Sequence, residues 1–578
     1  MKIKRRKFLA GAGAAAAAAV VGGYVATRPG HQPDLKLPPA MGTRPRNILL
    51  ITSDQEQAWA RLPQGFIERH CPGRAQIARD AVSFLRAHTP TPVCSTARGC
   101  LYTGVHSQNN GVWDNIPLPY APTLKRDVPT LGTLMKGAGF HTAYFGKWHL
   151  TRLYSGKHEP FTVEQVRQEI GSFGFDEVGT DQEHDGPLGG FEDDYKTADT
   201  ASAFLKRQAN ADTPWFAAVN IVNPHDIMYY TAGPEMTASR KITYPDQLKR
   251  PPQTALYNED LGYRLPDNFG PATAGGRVPA VVEYSLCDDI ALGRFPYEDP
   301  AACRDFANYY YNCIRDSDRY IEQVMEALVE SGQLENTIVI FTADHGEMLG
   351  VHGLRGKGVV PYREATNVPL MVRHPDHLGF RTSEALTSHV DLAPTLLALA
   401  GVPRDTVQRG APELIGRDFS EVITRNAQSG PRDKGDGLLM HWTSLIYQDH
   451  ISALSFDEER KKSGATNLLV VLKPQFRGTI QKRGQMRCVF DGRYKFARYF
   501  SPCEHQTPQT WEALLAFNDI ELYDLLADPG ENHNLAADPA SARSLILSLN
   551  DKLNRLLRQE VGQDDGHHLP GPTFFWKA

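Results

Sequence analysis

Four short apolar segments between residues 46 and 347 each end in charged or amide side chains instead of ordinary turn residues. They are RNILLITSDQ (46–55), GFHTAYFGKWHL (139–150), PWFAAVNIVNPHD (214–226) and NTIVIFTADHGE (336–347). Runs of this length and composition predict buried strands, and helical patterns at 128–139 and 309–332 predict helices between them. The pattern favours an open α/β sheet of parallel strands, whose ligands gather at the carboxyl ends of the strands.

The hydrophobic pattern changes in the C-terminal part of the chain to the alternation typical of antiparallel strands. Alternating runs occur at 467–473, 486–500 and 520–525, and a helical pattern follows at 541–560. We therefore predict three parts. They are a signal and linker over residues 1–40, a large α/β domain over 41–420 and a smaller C-terminal α+β domain, built on an antiparallel sheet, over 421–578.

The N-terminal segment has the composition of a targeting sequence. Arg5 and Arg6 precede a mildly apolar Ala/Gly run that ends near Ala26. This resembles a twin-arginine export signal, and the alternative is a basic tail followed by an alanine-rich helix. We expect the twin-arginine machinery to export the protein to the periplasm or beyond. A membrane tether is the alternative, because no clear cleavage site precedes Thr27.

Charge and cysteine content exclude two classes of protein. A formal net charge of −5 over 578 residues gives no support for nucleic-acid binding. Eight cysteines in so long a chain are not a small disulfide framework, and no CxxC pair indicates zinc. Cys303 and Cys313 could pair across a turn, although a buried thiol is the expected state of each.

The polar groups at the strand ends have ordinary interpretations when taken singly. Asp54 could cap a helix, His225 could be a hydrogen-bonded loop residue and Lys147 could be a solvated surface charge. Taken together, the Asp, Gln and His side chains supply mostly hard oxygen ligands, suited to Ca²⁺, Mg²⁺ or Mn²⁺. The Lys, Arg and His side chains beside them favour an oxyacid anion as the ligand.

A set of motifs, in this order, resembles the type I, formylglycine-dependent sulfatases of the alkaline phosphatase superfamily. The motifs are NILLITSDQ, CSTARGCLYTG, GFHTAYFGKWHL, NPHD, TIVIFTADHGEMLGVHGLRGKG and ELYDLLADPGENHNLA. Each is weak alone, but together they are specific and cover the chain from about residue 44 to 540. The resemblance implies an alkaline-phosphatase-like central sheet, mostly parallel and flanked by helices, with residues 41–420 as the catalytic domain.

The resemblance also implies the nucleophile and the metal ligands. Cys94 matches the cysteine that a formylglycine-generating enzyme oxidises to formylglycine, and Arg98 matches the residue that holds the formylglycine hydrate. A nucleophile near a helix N-terminus suits an anionic substrate, because the first N–H groups of a helix lack partners. The implied metal ligands are Asp54, Gln55, Asp344 and His345.

The remaining implied roles belong to basic residues. Lys147 and Lys357 match lysines that grip the sulfate group and stabilise charge on the leaving oxygen. His149 matches the base that deprotonates the sulfated hydrate, and His225 matches the histidine that hydrogen-bonds or protonates the leaving group.

The sequence departs from the common family pattern at three positions. Thr96 stands where the cysteine motif usually has proline, which bears on recognition by the formylglycine-generating enzyme. Gln55 replaces an aspartate and His345 replaces a frequent asparagine among the metal ligands. We expect Ca²⁺ as the metal, with Mn²⁺ or Mg²⁺ as alternatives, because a histidine ligand is unusual for calcium.

The sequence therefore predicts an exported sulfatase that hydrolyses sulfate esters of a glycan or small organic molecule. One alternative is a phosphonate monoester hydrolase or phosphodiesterase of the same superfamily. Another is a non-catalytic protein that has the same scaffold with an unmodified Cys94 and binds sulfated ligands without cleaving them. The segment from Ile227 to Cys303 is either a substrate wall or lid or a plain excursion. Trp113, Asp114 and Asn115 are candidate substrate contacts, although core or turn roles are favoured for them.

Overall fold

The computed structural model describes residues 32–33, 35, 37, 46–116, 118, 121–155, 159–243, 248–271, 277–445, 447–451, 481–505 and 507–569. The twin-arginine motif and the apolar run after it lie outside these residues, as does the run predicted at 467–473. Within the described residues, no helix combines the length and the apolar character needed to cross a membrane.

The strands of the structure belong mainly to two sheets. In chain order they are β1 Asn47–Asp54, β2 Ala81–Phe84, β3 Ala87–His88, β4 His141–Gly146, β5 Glu177–Val178, β6 Trp215–Pro224, β7 Thr337–Ala343, β8 Leu370–Arg373, β9 Arg381–Ser383, β10 Thr387–Ser388, β11 Leu438–Trp442, β12 Gln485–Phe490, β13 Tyr494–Phe500 and β14 Asp519–Asp524. The larger sheet has the order β5-β4-β6-β1-β7-β8-β2-β9, the smaller has the order β11-β12-β13-β14, and β3 pairs with β10.

The α-helices connect and cover these strands. They are Phe66–His70, Pro72–Ala78, Cys94–Thr103, Ser107–Asn110, Leu131–Gly137, Val163–Gly171, Gly189–Arg207, Gly233–Thr243, Pro279–Leu292, Pro300–Glu330, Arg363–Thr366, Leu392–Leu399, Arg404–Gly410, Ser420–Thr424, Trp511–Phe517 and Arg543–Glu560. Short 3-10 turns lie at Trp59–Arg61, Gln208–Asn210, His225–Tyr229, Leu334–Asn336, His389–Asp391, Pro431–Lys434, Pro502–Glu504 and Leu535–Ala537.

The larger sheet is parallel at its centre and is buried on both faces. Strands β4, β6, β1 and β7 are consecutive neighbours with parallel pairing, whereas β8 pairs antiparallel with β7. Along β1, Ile48 and Leu50 pack into the core on one face, and Leu49 and Ile51 pack into the core on the other. A strand covered by helices on both sides needs apolar residues at every position, which explains its unbroken apolar sequence.

The C-terminal part is a four-stranded antiparallel sheet covered by one long helix. Leu439 and Val489 of this sheet pack in one core with Ile546 and Leu553 of the helix Arg543–Glu560. The smaller sheet also contacts the segment that precedes the helix Cys94–Thr103, because the backbone N–H of His441 on β11 donates to the Pro90 carbonyl at 2.8 Å. The predicted fold class, a mostly parallel sheet followed by a smaller antiparallel one, is confirmed. The domain boundaries at residues 40 and 420 stay predictions.

Candidate active site

The carboxyl ends of four neighbouring strands bring the sequence-predicted residues to one edge of the larger sheet. Gln55 follows β1, Lys147 follows β4, His225 follows β6 and Asp344 follows β7. Gly146 permits the turn after β4, because its φ is +86° and an added Cβ would lie 2.1 Å from the Asn220 carbonyl oxygen. The sheet order β4-β6-β1-β7 therefore places these groups side by side.

Cys94 is the first residue of the buried helix Cys94–Thr103 and faces this edge. Its Sγ lies 2.9 Å from Lys357 Nζ, 3.3 Å from His345 Nε2 and 3.6 Å from Asp54 Oδ1. Burial, followed by the charge of Asp54, raises the pKa of the Cys94 thiol to about 12. The unmodified side chain is therefore a protonated thiol at neutral pH, and a poor nucleophile.

The helix that carries Cys94 is held at both ends. Its N-terminus is held by Asn115, whose Oδ1 accepts the backbone N–H of Ser95 at 3.2 Å. The helix ends at Gly104. This position requires glycine, because its φ is +66° and an added Cβ would be crowded by neighbouring atoms. Trp113 and Asp114, predicted with Asn115 as candidate substrate contacts, are both buried.

Two carboxylates and a histidine form a compact group around the Cys94 sulfur. The ligand atoms of Asp54, Cys94, Asp344 and His345 all lie within 4.8 Å of one another. Gln55 joins this group through its backbone N–H, which donates to Asp344 Oδ1 at 3.1 Å, while its Oε1 accepts from Lys357 Nζ at 2.6 Å. Three of the four predicted metal ligands thus converge, with the fourth beside them.

The charges of this group fit a divalent cation. The Oδ2 atom of Asp344 is buried without a hydrogen-bond partner. Burial, followed by the Asp54 carboxylate, raises the pKa of Asp344 well above its usual value. A cation held by these carboxylates would supply the missing positive charge, and oxygen donors with one imidazole suit Ca²⁺ or Mn²⁺.

Arg98 lies one helical turn beyond Cys94, and its guanidinium is directed toward the strand ends. Its Nη2 donates to Asn220 Oδ1 at 2.6 Å and its Nε donates to the Trp148 carbonyl at 3.1 Å. Its Nη1 has no hydrogen-bond partner and lies 3.9 Å from Asp344 Oδ2. The structure therefore places a buried cation behind the acidic group, with one N–H edge available to it.

Lys147 joins the acidic group to a second carboxylate that the sequence did not single out. Its Nζ lies 2.9 Å from Asp54 Oδ2 and 3.0 Å from Asp185 Oδ1. Burial opposes the charge of Lys147, but Asp185 and then Asp54 raise its pKa well above the usual value. Although burial alone would raise the pKa of Asp54, Lys147, with help from His225 and Lys357, holds it well below its usual value.

The same carboxylate faces both predicted histidines. Asp185 Oδ1 lies 3.5 Å from His225 Nε2, and Asp185 Oδ2 lies 3.7 Å from His149 Nε2. Burial lowers the pKa of each imidazole to about 3. Both histidines are therefore neutral at pH 7, so each is able to accept a proton on one ring nitrogen and donate from the other.

Two residues at this edge hold a backbone conformation that non-glycine residues rarely adopt. The φ angle is +71° at Gln55 and +54° at His149. At His149 the strain is held by Glu183, whose carboxylate accepts the backbone N–H groups of Trp148 at 3.2 Å and of His149 at 3.1 Å. A strained backbone persists only where the surrounding structure holds it in place, and such residues concentrate at functional sites.

Three acidic residues of the site escaped the sequence analysis. Glu183 and Asp185 lie in the loop before the helix Gly189–Arg207. A loop has no periodic sequence pattern from which their position could be predicted. Glu347 accepts a hydrogen bond from Gln55 Nε2 and the backbone N–H of Gly356 at 2.6 Å. A signal for Glu347 was present, because it stands inside the motif that contains Asp344.

The segment from Ile227 to Cys303 packs against the loop that carries Lys357. Tyr284, on the helix Pro279–Leu292, donates a hydrogen bond from its hydroxyl to the Lys357 carbonyl. Tyr229 stacks edge-on against His225 with ring centroids 5.8 Å apart. Of the two interpretations of this segment, these contacts favour a wall of the site.

Comparisons with known proteins agree with this architecture. The sequence profile of the sulfatase family matches residues 46–402. An uncharacterized sulfatase of Escherichia coli, YidJ, is 30% identical over 353 residues, which are 58% of this chain and 63% of that protein. A Delta 4,5-hexuronate-2-O-sulfatase of Bacteroides thetaiotaomicron is 24% identical over 488 residues, which are 81% of this chain and 80% of that protein.

Solved structures share the fold. A 2-O GAG sulfatase superposes with a TM-score of 0.63 at 21% identity, covering 89% of this chain and 93% of its own. A phosphonate monoester hydrolase of Agrobacterium radiobacter superposes with a TM-score of 0.55 at 20% identity, covering 89% and 96%. At such identities the superpositions establish the fold, whereas the profile spans more than half of the chain and establishes the family. The chain therefore belongs to the sulfatase family.

Proposed function

We propose that this protein is an exported sulfatase, which hydrolyses sulfate esters at Cys94. The observation that carries the proposal is the contact of the Cys94 sulfur with Lys357 Nζ at 2.9 Å and His345 Nε2 at 3.3 Å, beside two buried carboxylates. A nucleophile position enclosed by cations and metal-ligating groups suits attack on an oxyanion ester.

Two groups would complete the chemistry. Formylglycine at position 94 would supply a hydrated aldehyde, which is a better sulfuryl acceptor than a thiol whose pKa is about 12. A divalent cation on Asp54, Gln55, Asp344 and His345 would neutralise charge on the sulfate group. Ca²⁺ is the proposed ion, with Mn²⁺ or Mg²⁺ as alternatives.

The protein's own side chains would bind the sulfate and move protons. The ammonium groups of Lys147 and Lys357 lie on either side of Asp54, at 2.9 Å and 3.9 Å from its carboxylate oxygens, and would grip the sulfate oxygens. His225, neutral at pH 7, would donate an N–H to the leaving oxygen. His149, also neutral, would accept a proton from the hydroxyl at position 94.

A sulfated glycan is the proposed substrate class. The support comes from relatives whose names state such substrates, namely the hexuronate-2-O-sulfatase and an N-acetylglucosamine-6-O-sulfatase of the same Bacteroides species, which is 26% identical over 419 residues. A small organic sulfate ester is the alternative. The wall formed by the segment from Ile227 to Cys303 would select among them.

Export and maturation involve two further partners. A formylglycine-generating enzyme would act on Cys94 before folding, since the helix that carries it is buried throughout in the folded protein. The twin-arginine machinery carries folded proteins, so both steps would precede export to the periplasm. The support for export is Arg5, Arg6 and the apolar run that follows.

The first test is mass spectrometry of the tryptic digest, using protein produced together with a formylglycine-generating enzyme. Trypsin cleaves after Arg86 and Arg98, so Cys94 and Cys100 fall in different peptides and Cys100 serves as the internal control for an unmodified thiol. We expect an aldehyde at position 94 and a thiol at position 100. A free thiol at both positions, in protein without turnover, would support the non-catalytic alternative.

The second test compares turnover of an aryl sulfate, a sulfated amino sugar and a phosphate diester by the same preparation. We expect kcat/KM to be largest for a sulfate ester. A larger kcat/KM for the phosphate diester would overturn the proposal in favour of phosphonate monoester hydrolase or phosphodiesterase activity.

A further inference from the structure

A second buried group of metal-ligating side chains lies further along the nucleophile helix, beyond the active site. It consists of Cys100 on that helix, His106 just beyond it and His441 on β11 of the C-terminal sheet. One ligand atom from each residue lies within 4.8 Å of the other two. Their exposed fractions are 0%, 0% and 1%, respectively. We call these three residues the Cys-His-His cluster.

One ring nitrogen of each histidine in this cluster has no hydrogen-bond partner. His106 Nδ1 and His441 Nε2 are both buried and make no hydrogen bond. Leaving two buried nitrogens unpaired costs free energy, about 1–3 kcal/mol for each such group. Two such atoms beside a buried thiol indicate a ligand that is shared among them.

The outer hydrogen bonds set the protonation of both rings. Glu560 Oε2 lies 2.9 Å from His106 Nε2 and accepts its proton, so the lone pair of this ring is on Nδ1. Ser107 Oγ lies 3.3 Å from His441 Nδ1. A His441 ring that donates from Nδ1 to this hydroxyl has its lone pair on Nε2, the nitrogen without a partner. Carboxylate and hydroxyl groups behind metal-binding histidines fix them in this way.

The Cys100 sulfur accepts one hydrogen bond inside the cluster. Burial raises the pKa of this thiol well above its usual value, and the backbone N–H of Ser107, which donates to the sulfur, offsets part of that rise. A metal would displace the thiol proton to solvent and form a metal–sulfur bond in its place. The thiolate would neutralise one charge of a doubly charged ion, while Glu560, which hydrogen-bonds His106, is itself paired with Arg432 at 2.9 Å.

We infer that Cys100, His106 and His441 bind one thiophilic transition-metal ion, Zn²⁺ or Cu⁺. A thiolate with two imidazoles is a soft-to-borderline ligand set, unlike the oxygen-rich group around Asp54. Zn²⁺ would take a small fourth ligand such as water, whereas Cu⁺ is satisfied by the three side chains. The ion would join the nucleophile helix to the C-terminal sheet, and its role is structural. The inference is independent of the proposed function.

Metal analysis of the purified full-length protein tests this inference. Asp344→Asn removes a ligand of the active-site group, so the thiophilic metal that this variant retains belongs to the Cys-His-His cluster. We expect about one zinc or copper ion per chain in the wild type and in Asp344→Asn. We expect loss of that ion in Cys100→Ser and in His441→Gln, and the identity of the ion distinguishes Zn²⁺ from Cu⁺.

Cys488→Ser is the matched control for the loss of a buried thiol. Cys488 is fully buried on β12, in register with Met440 beside His441, but lies outside the cluster. We expect this variant to keep the metal and to lose little thermal stability compared with Cys100→Ser. Equal metal content in Cys100→Ser and Cys488→Ser would overturn the inference.

A second measurement is independent of whether Cys100→Ser folds. Cys94→Ser protein is stripped of metal, reloaded with Co²⁺ and examined for the near-ultraviolet charge-transfer absorption of a thiolate–cobalt bond. Because Cys94 is absent, we expect this absorption to come from Cys100. Failure to bind Co²⁺, Zn²⁺ or Cu⁺ with a sulfur ligand would refute the site.

Discussion

Cys94 and Cys100 lie on one buried helix, six residues and about 9 Å apart along its axis, in opposite chemical surroundings. Cys94 faces the strand ends, where its neighbours are Lys357, Asp54 and His345. Cys100 faces two imidazoles and a backbone N–H. Burial raises the pKa of both thiols, so neither is reactive by itself. The groups around each sulfur therefore decide its chemistry.

The comparison extends to the type of charge in each group. The group around Cys94 holds carboxylates, two lysines and an arginine, which suit a hard cation and an anionic substrate together. The Cys-His-His cluster offers nitrogen and sulfur, and Glu560, the carboxylate that hydrogen-bonds His106, pairs with Arg432 at 2.9 Å. The start of the helix thus favours turnover of an anion, and the position six residues further on favours a fixed structural ion.

The largest effect is expected from removal of the first sulfur. Cys94→Ser removes the residue that becomes formylglycine, so we expect kcat/KM for an aryl sulfate to fall on the order of 10³-fold or more, with little change in thermal stability. Steady-state kinetics and thermal unfolding measure both. Cys488→Ser, which removes a distant buried thiol, is the control. A Cys94→Ser protein within tenfold of wild-type activity would contradict the assigned role.

The next effect concerns the metal of the active site. Asp344→Asn removes a carboxylate whose Oδ2 has no hydrogen-bond partner. We expect loss of the hard divalent ion and a fall in kcat/KM of about 10²- to 10³-fold, because the ion neutralises sulfate charge. Kinetics and metal analysis provide the readout. Asp316→Asn, a buried carboxyl on the helix Pro300–Glu330, should keep both, and equal losses in the two variants would argue for a general destabilisation.

A smaller effect is expected from Asp185, whose carboxylate lies among the groups that would bind sulfate. Asp185→Asn removes a negative charge 3.0 Å from Lys147 Nζ and 3.5 Å from His225 Nε2. We expect inorganic sulfate to inhibit this variant about tenfold more tightly than the wild type, which corresponds to about 1.4 kcal/mol.

Competitive inhibition constants measure the change, with Asp181→Asn as the control on the same loop. Asp181 pairs with His184 at 2.8 Å, away from Lys147. Weaker inhibition of Asp185→Asn would indicate that the carboxylate serves mainly to hold Lys147 in position.

The last effect is on stability instead of activity and concerns protonation of the active-site histidines. Burial, with Lys147 contributing, lowers the pKa of His225 from 6.5 to about 3. Between these values the unfolded chain binds the proton and the folded chain does not, so the free energy of unfolding falls as the pH is lowered. When the pH is lowered from about 6.5 to about 4.5, the free energy of unfolding should fall in both proteins. We expect the fall to be about 2 kcal/mol smaller in His225→Asn than in the wild type.

Denaturant unfolding at the two pH values measures this difference. His533→Asn, which changes a histidine on the exposed surface, should follow the wild type. Parallel pH profiles for His225→Asn and the wild type would show that His225 is protonated equally in the folded and unfolded states.

The sequence predicts the parallel centre of the larger sheet and the residues at its edge for one physical reason. Both faces of β1, β4, β6 and β7 are covered, so each strand contains a run of apolar residues, and a polar residue follows each run. The position of Asp54 or Asp344 therefore follows from the length of a strand. Antiparallel strands such as β12 follow from alternation in the same way.

Other parts of the site depend on contacts that no local pattern contains. Asp185 lies in a loop, and its relation to Lys147 and His225 appears only when β4 and β6 lie side by side. In the sequence Cys100 looks like an ordinary buried thiol, because His441, the third residue of the cluster, is far away in the chain. Even Ser107, which contacts His441, is 334 residues from it in sequence. Pairings between distant segments require the folded sheet order, and for this reason the absence of a CxxC pair did not exclude a soft-metal site.

The left-handed backbone at Gln55 and His149 implies a conflict between robustness and activity at this edge of the sheet. Each residue holds a positive φ that glycine would adopt without strain, at a cost of about 1–3 kcal/mol. Glycine at either position would relax the chain but delete an amide or an imidazole that faces the reacting group. Selection for thermal tolerance alone would therefore favour the loss of these side chains, and their presence marks positions where folding stability has yielded to chemistry.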